Sequence, residues 1–287
     1  MIARYFQIKV RAFSLIELLV VIAVIALLFA LVAPALDRAR EQGLKTAALS
    51  SAHQIGLAGI AYQQDNKEQY PFTVVYRRGT VPGANSGPLE GLCPWSFAGR
   101  NNAAFWAGKP FDIEAADRPL NPYLSSGTTF DAPASPATLS ATDPSRTNAE
   151  LQAVRIRGFE DSLERAWPAA PSPTPGVTCY EDVGTSYFLN LRWLDEFTGT
   201  TDPVERLRMG LPRFAAAGKS GPSRLVWFTD QSGEAVPRST DPSFRWNNAF
   251  DDDNRSVAGF VDGHAQYITV KPRALTGSDY SLTLGDP

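Results

Sequence analysis

A single long apolar segment near the start of the chain constrains the fold more than any other feature. It extends from Phe13 to Leu36, about 24 residues, and its only charged side chain is Glu17. As a helix, the part from Leu18 onward is roughly 30 Å long, which is the thickness of the hydrocarbon core of a bilayer. Within that core, a single segment satisfies all its backbone hydrogen bonds only as a helix. The segment therefore predicts a membrane-spanning helix.

Cationic residues before the apolar segment predict its orientation. Arg4, Lys9 and Arg11 precede Phe13. The positive-inside rule then places the N-terminus in the cytoplasm and the rest of the chain outside, in the periplasm or beyond the cell. An ordinary secretory signal and a plain single-span anchor are the alternatives. The apolar part of a signal has only about 7–15 residues, so the length of this segment argues against the first.

The ten residues from Phe13 form a specific pattern around Glu17. Residues 13–22 are Phe-Ser-Leu-Ile-Glu-Leu-Leu-Val-Val-Ile, and they follow a short basic leader that ends at Ala12. This segment resembles the N-terminus of type IV prepilins and type II secretion pseudopilins. The resemblance implies that prepilin peptidase cuts between Ala12 and Phe13 and that Phe13 is then N-methylated. Ala12 stands where the family usually has Gly, which has no Cβ and fits a tight protease cleft. Ala is the nearest substitute, so processing is still expected, and whether it is slower stays open.

The resemblance also gives Glu17 a role. A carboxylate in a spanning helix is unfavourable by roughly 2.5–3.5 kcal/mol at the helix centre, so it needs a partner. In an assembled filament of this family, Glu17 would pair with the α-amino group of Phe13 in the neighbouring subunit and set the register. The alternatives are that the side chain reaches the headgroups or is protonated.

Helical spacing continues beyond the membrane segment. Small and apolar residues recur every three or four positions from Leu44 to Tyr62, which is typical of an amphipathic helix, and Asp65-Asn66 provides a stop. The predicted organisation is a prepilin leader (1–12), a transmembrane and assembly helix (13–36), an amphipathic helix half (37–66) and an exported β-rich domain (67–287).

The remaining residues predict short strands with long loops. The candidate strands are Phe72–Tyr76, Thr185–Leu191, Arg224–Thr229, Ser256–Val261 and Ala265–Val270. The last two flank Asp262-Gly263, which favours a hairpin with a two-residue turn. A further helix is predicted at 149–165, and loops at 125–145 and 166–176. The fold class is α+β, pilin-like, with the long N-terminal helix packed on an antiparallel sheet.

The end of the chain adds a second resemblance. Residues 259–265, Gly-Phe-Val-Asp-Gly-His-Ala, resemble the closing motif of a large pseudopilin-like family. That family often has a His ten residues before the Asp of the Asp-Gly turn. Here Asp252 occupies that position, so a role for that His does not carry over.

Two pairs of alternatives concern cysteines and acidic residues. Cys93 and Cys179 lie on the exported side, where a disulfide would close a loop of roughly 86 residues and contribute about 3–4 kcal/mol; two buried thiols are the alternative. The carboxylates of Asp251, Asp252 and Asp253 are ligands of the kind that Ca²⁺ prefers, and a solvated acidic turn is the alternative. No other cofactor is expected.

Composition and motifs favour assembly over catalysis. The formal net charge is −3 without a basic stripe, so nucleic acid is excluded as a partner. The chain has two histidines and contains no nucleophile elbow, phosphate loop or His-Glu-x-x-His motif, so no enzyme activity is expected. The resemblance implies a subunit of a type II secretion or type IV pilus-type filament in the inner membrane. Its partners would be prepilin peptidase, other pilin-like subunits, the inner-membrane assembly platform and the lipid bilayer.

Two other functions stay open at this point. One is a surface-binding module such as a minor-pilin adhesin, which would use exposed aromatic residues such as Trp95, Trp106 and Trp167; burial of these residues in the core is the alternative. The other is a membrane-tethered enzyme, which would need, for glycoside hydrolysis, paired carboxylates about 5–9 Å apart in a cleft.

We expect the mature chain to begin at N-methyl-Phe13. Intact mass and N-terminal sequencing of the protein from its native membrane test this, with a strain that lacks prepilin peptidase as the control. The methylated Phe13 terminus should be absent from the control strain. A chain that keeps Met1 or Ile2 in both strains would contradict the prediction.

Overall fold

The computed structural model describes residues 15–72, 74–76, 89–100, 113, 115–125 and 179–285. It falls into two compact units, Met1–Gly43 and Leu44–Pro287, which are treated separately below. Residues 1–14 lie outside the described part, and so do the predicted helix at 149–165 and nearly all of the two predicted loops.

Helix α1 extends from Leu15 to Asp65. In the N-terminal unit its side chains are exposed, including the large apolar residues from Leu15 to Leu36. Pro34 lies inside the helix without ending it. Among the described helices, α1 alone is long and apolar enough to cross a membrane. A fully exposed apolar helix of this length is stable only where lipid or other helices cover it.

The carboxyl half of α1 belongs to the C-terminal unit and is packed on one face. Its buried residues are mostly small and follow a helical spacing: Ala48, Ala52, Ile55, Gly56, Ala58 and Gly59. The predicted amphipathic face is therefore the buried one, although Ala47, predicted on that face, is exposed. Small side chains allow the helix backbone to approach the layer beneath it closely.

The layer beneath is a four-stranded antiparallel sheet in the order β3-β4-β5-β6. Its strands are β3 (Tyr187–Leu189), β4 (Val226–Asp230), β5 (Arg255–Phe260) and β6 (Ala265–Thr269). A separate antiparallel pair consists of β1 (Val74–Tyr76) and β2 (Leu89–Leu92). All five predicted strands exist, in shortened or shifted form. Strand β2 was not predicted, because Leu-Glu-Gly-Leu does not alternate regularly between apolar and polar residues.

Both faces of the four-stranded sheet are buried. Tyr187 and Leu189 belong to the cluster that includes the α1 face, and Phe188 between them belongs to the cluster on the opposite face. In β5, Val257 and Ala258 divide in the same way. This alternation is the period of two that a strand imposes. The sheet is therefore the middle layer of the C-terminal unit.

Helices missed by the sequence analysis surround this layer. Helix α4 (Pro203–Ser220) begins with proline, which is favourable at the first helical position. It buries Leu207, Gly210, Phe214 and Gly218, which are spaced three or four residues apart. Pro212 and the two glycines obscured this pattern, since they are unfavourable inside a helix. The other described helices are short: α2 (Asn121–Leu124), α3 (Cys179–Val183), α5 (Gln231–Arg238), and 3-10 turns at Ala115–Asp117 and Arg192–Glu196.

We expect Gly56→Ala to destabilise the C-terminal unit by about 1–3 kcal/mol, because a forced contact shifts the backbone. A Cβ at Gly56 would lie 2.6 Å from the Gly263 carbonyl oxygen. Gly43→Ala is the matched control, since no atom lies within 4 Å of its added Cβ. The control should gain up to about 1 kcal/mol from helix propensity.

The measurement is the free energy of unfolding of the detergent-solubilised full chain, followed by circular dichroism. Equal stabilities of the Gly56→Ala and Gly43→Ala variants would contradict the close helix–hairpin contact.

Candidate functional site at the apolar helix and the closing turn

Glu17 lies in the first turn of α1, and its side chain is exposed. A carboxylate is favourable there, because the backbone N–H groups of a helix N-terminus carry partial positive charge. Ala12 and Phe13, the predicted cleavage and methylation positions, lie outside the described residues. The pairing of Glu17 with a neighbouring Phe13 therefore stays a prediction.

The closing motif forms the hairpin between β5 and β6, as predicted, but with a longer loop. Phe260 N donates to His264 O, and Gly263 N donates to Phe260 O, both at 2.9 Å. The loop therefore holds three residues, 261–263, instead of the two predicted. Gly263 has a φ of +87°, the left-handed conformation that closes such three-residue loops and that favours glycine.

This hairpin loop packs on the carboxyl half of α1. His53 Nδ1 lies 2.8 Å from Gly263 O. A carbonyl only accepts, so Nδ1 of His53 carries the proton. His264 stacks on Phe260 with ring centroids 4.0 Å apart, and its Nδ1 hydrogen-bonds Asp262. Both histidines of the chain thus stabilise one turn and its contact with the helix.

The acidic residues 251–253 are separated in the structure. Asp252 accepts from Lys45 Nζ at 2.6 Å and from the Tyr267 hydroxyl at 2.8 Å, whereas Asp251 accepts from the Asn247 amide. Burial acts against ionisation of Asp252, but the bonds from Lys45 and Tyr267 outweigh it and hold the pKa of its carboxyl below the usual value.

The predicted calcium site gains no support from this arrangement. Asp251, Asp252 and Asp253 do not converge, and across the described residues no three His, Cys, Asp or Glu side chains are grouped to hold a metal ion. The acidic run lies in a turn that is attached to α1 through Lys45, and a calcium site there stays a prediction.

The ion pair of Lys45 with Asp252 is a contact that the sequence analysis missed. Lys45 lies three residues before Ala48 and seven before Ala52, on the packed face of α1, and its side chain is only 13% exposed. The sequence signal for this ion pair is a single lysine among small apolar residues at helical spacing. A cation on a packed helix face needs an anionic partner from another element.

The residues matched by a family model lie at the other end of this helix. Residues 8–33 match the prokaryotic N-terminal methylation motif. This match is consistent with the N-terminus of a type IV prepilin-like protein. No curated protein and no solved structure matches the chain. The prepilin-type segment and the apolar helix that follows it support a pilin-like subunit that is processed by prepilin peptidase.

A buried arginine joins the segments that come before the four-stranded sheet in the sequence. Arg118 is 1% exposed and donates to the carbonyl oxygens of Trp95, Ala98 and Val183 at 2.7–2.8 Å. Asn121 beside it bonds both the N–H and the carbonyl of Gly99. These bonds join segments that are distant in sequence.

Cys93 and Cys179 are both buried and lie in one apolar cluster. Burial raises the pKa of the Cys93 thiol to about 12. This arrangement does not decide between a disulfide and two buried thiols, and the disulfide stays a prediction. Trp95 is buried in the same cluster, so it is a core residue; Trp106 and Trp167 lie outside the described residues.

A buried carboxylate organises the start of α5. Asp230 accepts hydrogen bonds from two backbone N–H groups of α5, from the hydroxyls of Ser232 and Ser256, and from Val257 N. Burial raises the pKa of Asp230, and these donors oppose the shift. The carboxylate thereby caps α5 and fastens it to β5.

We expect Asp230→Ala to lower the free energy of unfolding by about 2–4 kcal/mol, because it removes a helix cap and leaves several buried donors without acceptors. Asp241→Ala is the matched control: Asp241 accepts from Ser243 N and Oγ in the same local pattern, but it is exposed. The control should lose far less stability. Equal losses in a urea titration of the full chain would contradict the structural role of Asp230.

Proposed function

We propose that the chain is a membrane-anchored, pilin-like subunit of a type II secretion or type IV pilus-type filament. The observation that carries the proposal is the coincidence of the methylation motif at residues 8–33 with the start of a helix that is exposed and apolar from Leu15 to Leu36. An ordinary anchor requires the apolar helix but not the motif.

Maturation would proceed by cleavage between Ala12 and Phe13 and methylation of the new amino group. The basic leader favours a cytoplasmic N-terminus. Prepilin peptidase would then act on that side of the inner membrane, and the residues after α1 would lie in the periplasm or outside the cell. The assembly platform and other pilin-like subunits would then receive the mature chain.

Assembly, not catalysis, would be the activity. When the subunit leaves the membrane, the exposed apolar side chains of α1 need other helices to replace the lipid around them. A bundle of such helices would cover these side chains. Glu17 would pair with the amino terminus of a neighbouring subunit, because an unpaired charge in the bundle is strongly unfavourable. The pairing would set the axial register between subunits.

The size of the C-terminal unit favours a specialised position in the filament. About 220 residues follow α1. A domain this large favours a minor, tip-located or substrate-contacting subunit over the repeated body of a thin filament. The C-terminal unit would be carried on the outside of the helix bundle.

The test is Glu17→Gln, with Asp37→Asn as the matched control on the exposed surface of the same helix. We expect Glu17→Gln to reduce recovery of the chain in sheared or cross-linked filaments at least about tenfold, since loss of a buried charge partner is worth 3–5 kcal/mol. The control should assemble normally. Mass spectrometry of both variants should still find N-methyl-Phe13.

Two outcomes would contradict the proposal. Glu17→Gln assembling as well as the parent would remove the register role. Failure of the parent chain to enter any assembly, although it is processed, would leave a processed membrane protein that is not a filament subunit.

A further inference from the structure

The outer edge of β6 has no neighbouring strand among the described residues. The order of the described strands places β6 at one end of the sheet, next to β5. The opposite end is covered, because Leu189 N of β3 donates to Pro94 O at 2.7 Å. The two ends of the sheet therefore differ in their capacity to add a strand.

The register between β5 and β6 determines which groups face outward. Phe260 N bonds His264 O, and Val270 N bonds Asn254 O, so these are hydrogen-bonded pairs. Hydrogen-bonded and non-hydrogen-bonded pairs alternate along an antiparallel ladder. Residues 265, 267 and 269 fall in the non-hydrogen-bonded pairs. Their N–H and C=O groups consequently point away from β5.

These outward groups have almost no partner within the described residues. No backbone group there bonds them, and the one contact is from the Arg255 guanidinium to Tyr267 O at 3.3 Å. Thr269 is exposed, and Ala265 and Tyr267 are half-buried. An edge of this kind is a template for another strand.

The two ends of the edge carry opposite charge. Asp262 lies in the hairpin loop before β6, where it bonds His264 and its side chain is 32% exposed. Lys271 and Arg273 follow β6 and are exposed. An antiparallel second β6 would bring the acidic end of each strand to the basic end of the other. A parallel one would place like charges together.

We propose that β6 pairs with β6 of a second copy of this chain, antiparallel, about a two-fold axis at Tyr267. In this register Ala265 lies opposite Thr269 of the second copy, and Asp262 lies between its Lys271 and Arg273. Each residue whose N–H and C=O groups point away from β5 then lies opposite such a residue of the second copy. The interface is isologous and small, and a shared membrane strengthens it by raising the effective concentration. It stands apart from the proposed function, because residues 262–273 alone carry it.

The first test is site-specific cross-linking of the full chain in its native membrane. Ala265→Cys and Thr269→Cys are expressed separately and together, with different tags, and oxidised with copper phenanthroline. In the proposed register, residue 269 of one copy lies opposite residue 265 of the other copy. The two residues 269 are roughly 13 Å apart, which is beyond the reach of a disulfide. We expect a cross-linked dimer in the co-expression, at least about tenfold above either variant alone and above the parent.

Three outcomes would overturn the proposal. Cross-linking of the single variants at the level of the mixture would indicate another register or random collision. Absence of cross-linking in the mixture would show that no second β6 lies there. A cross-link to a different protein would assign the edge to an extended segment of that partner.

The second test removes the pairing without removing the fold. Thr269→Pro deletes only an outward N–H, and proline is tolerated on an edge strand; Thr269→Val keeps the N–H and is the control. We expect the dissociation constant of the detergent-solubilised dimer to rise at least about tenfold in Thr269→Pro and to stay unchanged in Thr269→Val. An unchanged constant in a Thr269→Pro chain that melts normally would overturn the proposal.

If the Thr269→Pro variant does not fold, exchanging the charges of residues 262 and 271 tests the pairing of the two β6 strands. Asp262→Lys and Lys271→Asp should each weaken the dimer about two- to fivefold, as expected for exposed ion pairs. The double variant should dimerise more tightly than Asp262→Lys alone, although Arg273, which stays cationic, keeps it weaker than the parent. Failure of the double variant to recover would contradict the antiparallel register.

Discussion

The close contact between the backbone of α1 and the closing hairpin is the constraint on which the C-terminal unit depends. Gly56 permits the approach on the helix side, and Gly263, in a left-handed conformation, permits it on the loop side. A Cβ at Gly263 would strain the left-handed backbone of the loop and meet the end of the Ile60 side chain at 2.8 Å. A Cβ at Gly56 would separate the two backbones, because it would lie 2.6 Å from the Gly263 carbonyl oxygen. The aromatic cluster beneath the helix, including Tyr187, whose hydroxyl donates to Ala48 O at 2.9 Å, would then lose its cover. Gly56 thus determines how closely helix and hairpin can pack, and Gly263 allows the loop to close.

Short-range sequence patterns predicted the elements that form through contacts between residues close in sequence. The β5–β6 hairpin followed from two strand-like segments around Asp-Gly, and α1 followed from composition and periodicity. The number of loop residues did not, because Val261 joins the loop only through the bond between Phe260 and His264. Helix α4 was missed because Pro212 and two glycines contradict helix propensity, whereas tertiary packing of Leu207 and Phe214 compensates for it.

The site shows the same division between local pattern and three-dimensional arrangement. Adjacent carboxylates at 251–253 suggested a shared ligand, but a backbone with positive φ at Asp251 and Asn254 directs neighbouring side chains to different partners. Asp252 reaches Lys45, a residue more than 200 positions earlier, and no single-sequence signal joins the two. The burial of Trp95 near Arg118 could not be predicted from the sequence either, since it depends on contacts among three separate segments.

The concentration of histidine at the hairpin loop has a practical consequence. A chain of 287 residues with only two imidazoles, both beside Gly263, contains its own pair of spectroscopic labels at the contact that seats the helix. Imidazole resonances in a magnetic resonance spectrum would come from this one place. Opening of the hairpin from the helix would change both signals together, whereas events elsewhere in the C-terminal unit would leave them unaltered. The native sequence therefore already carries a reporter for the separation of its helix and sheet layers.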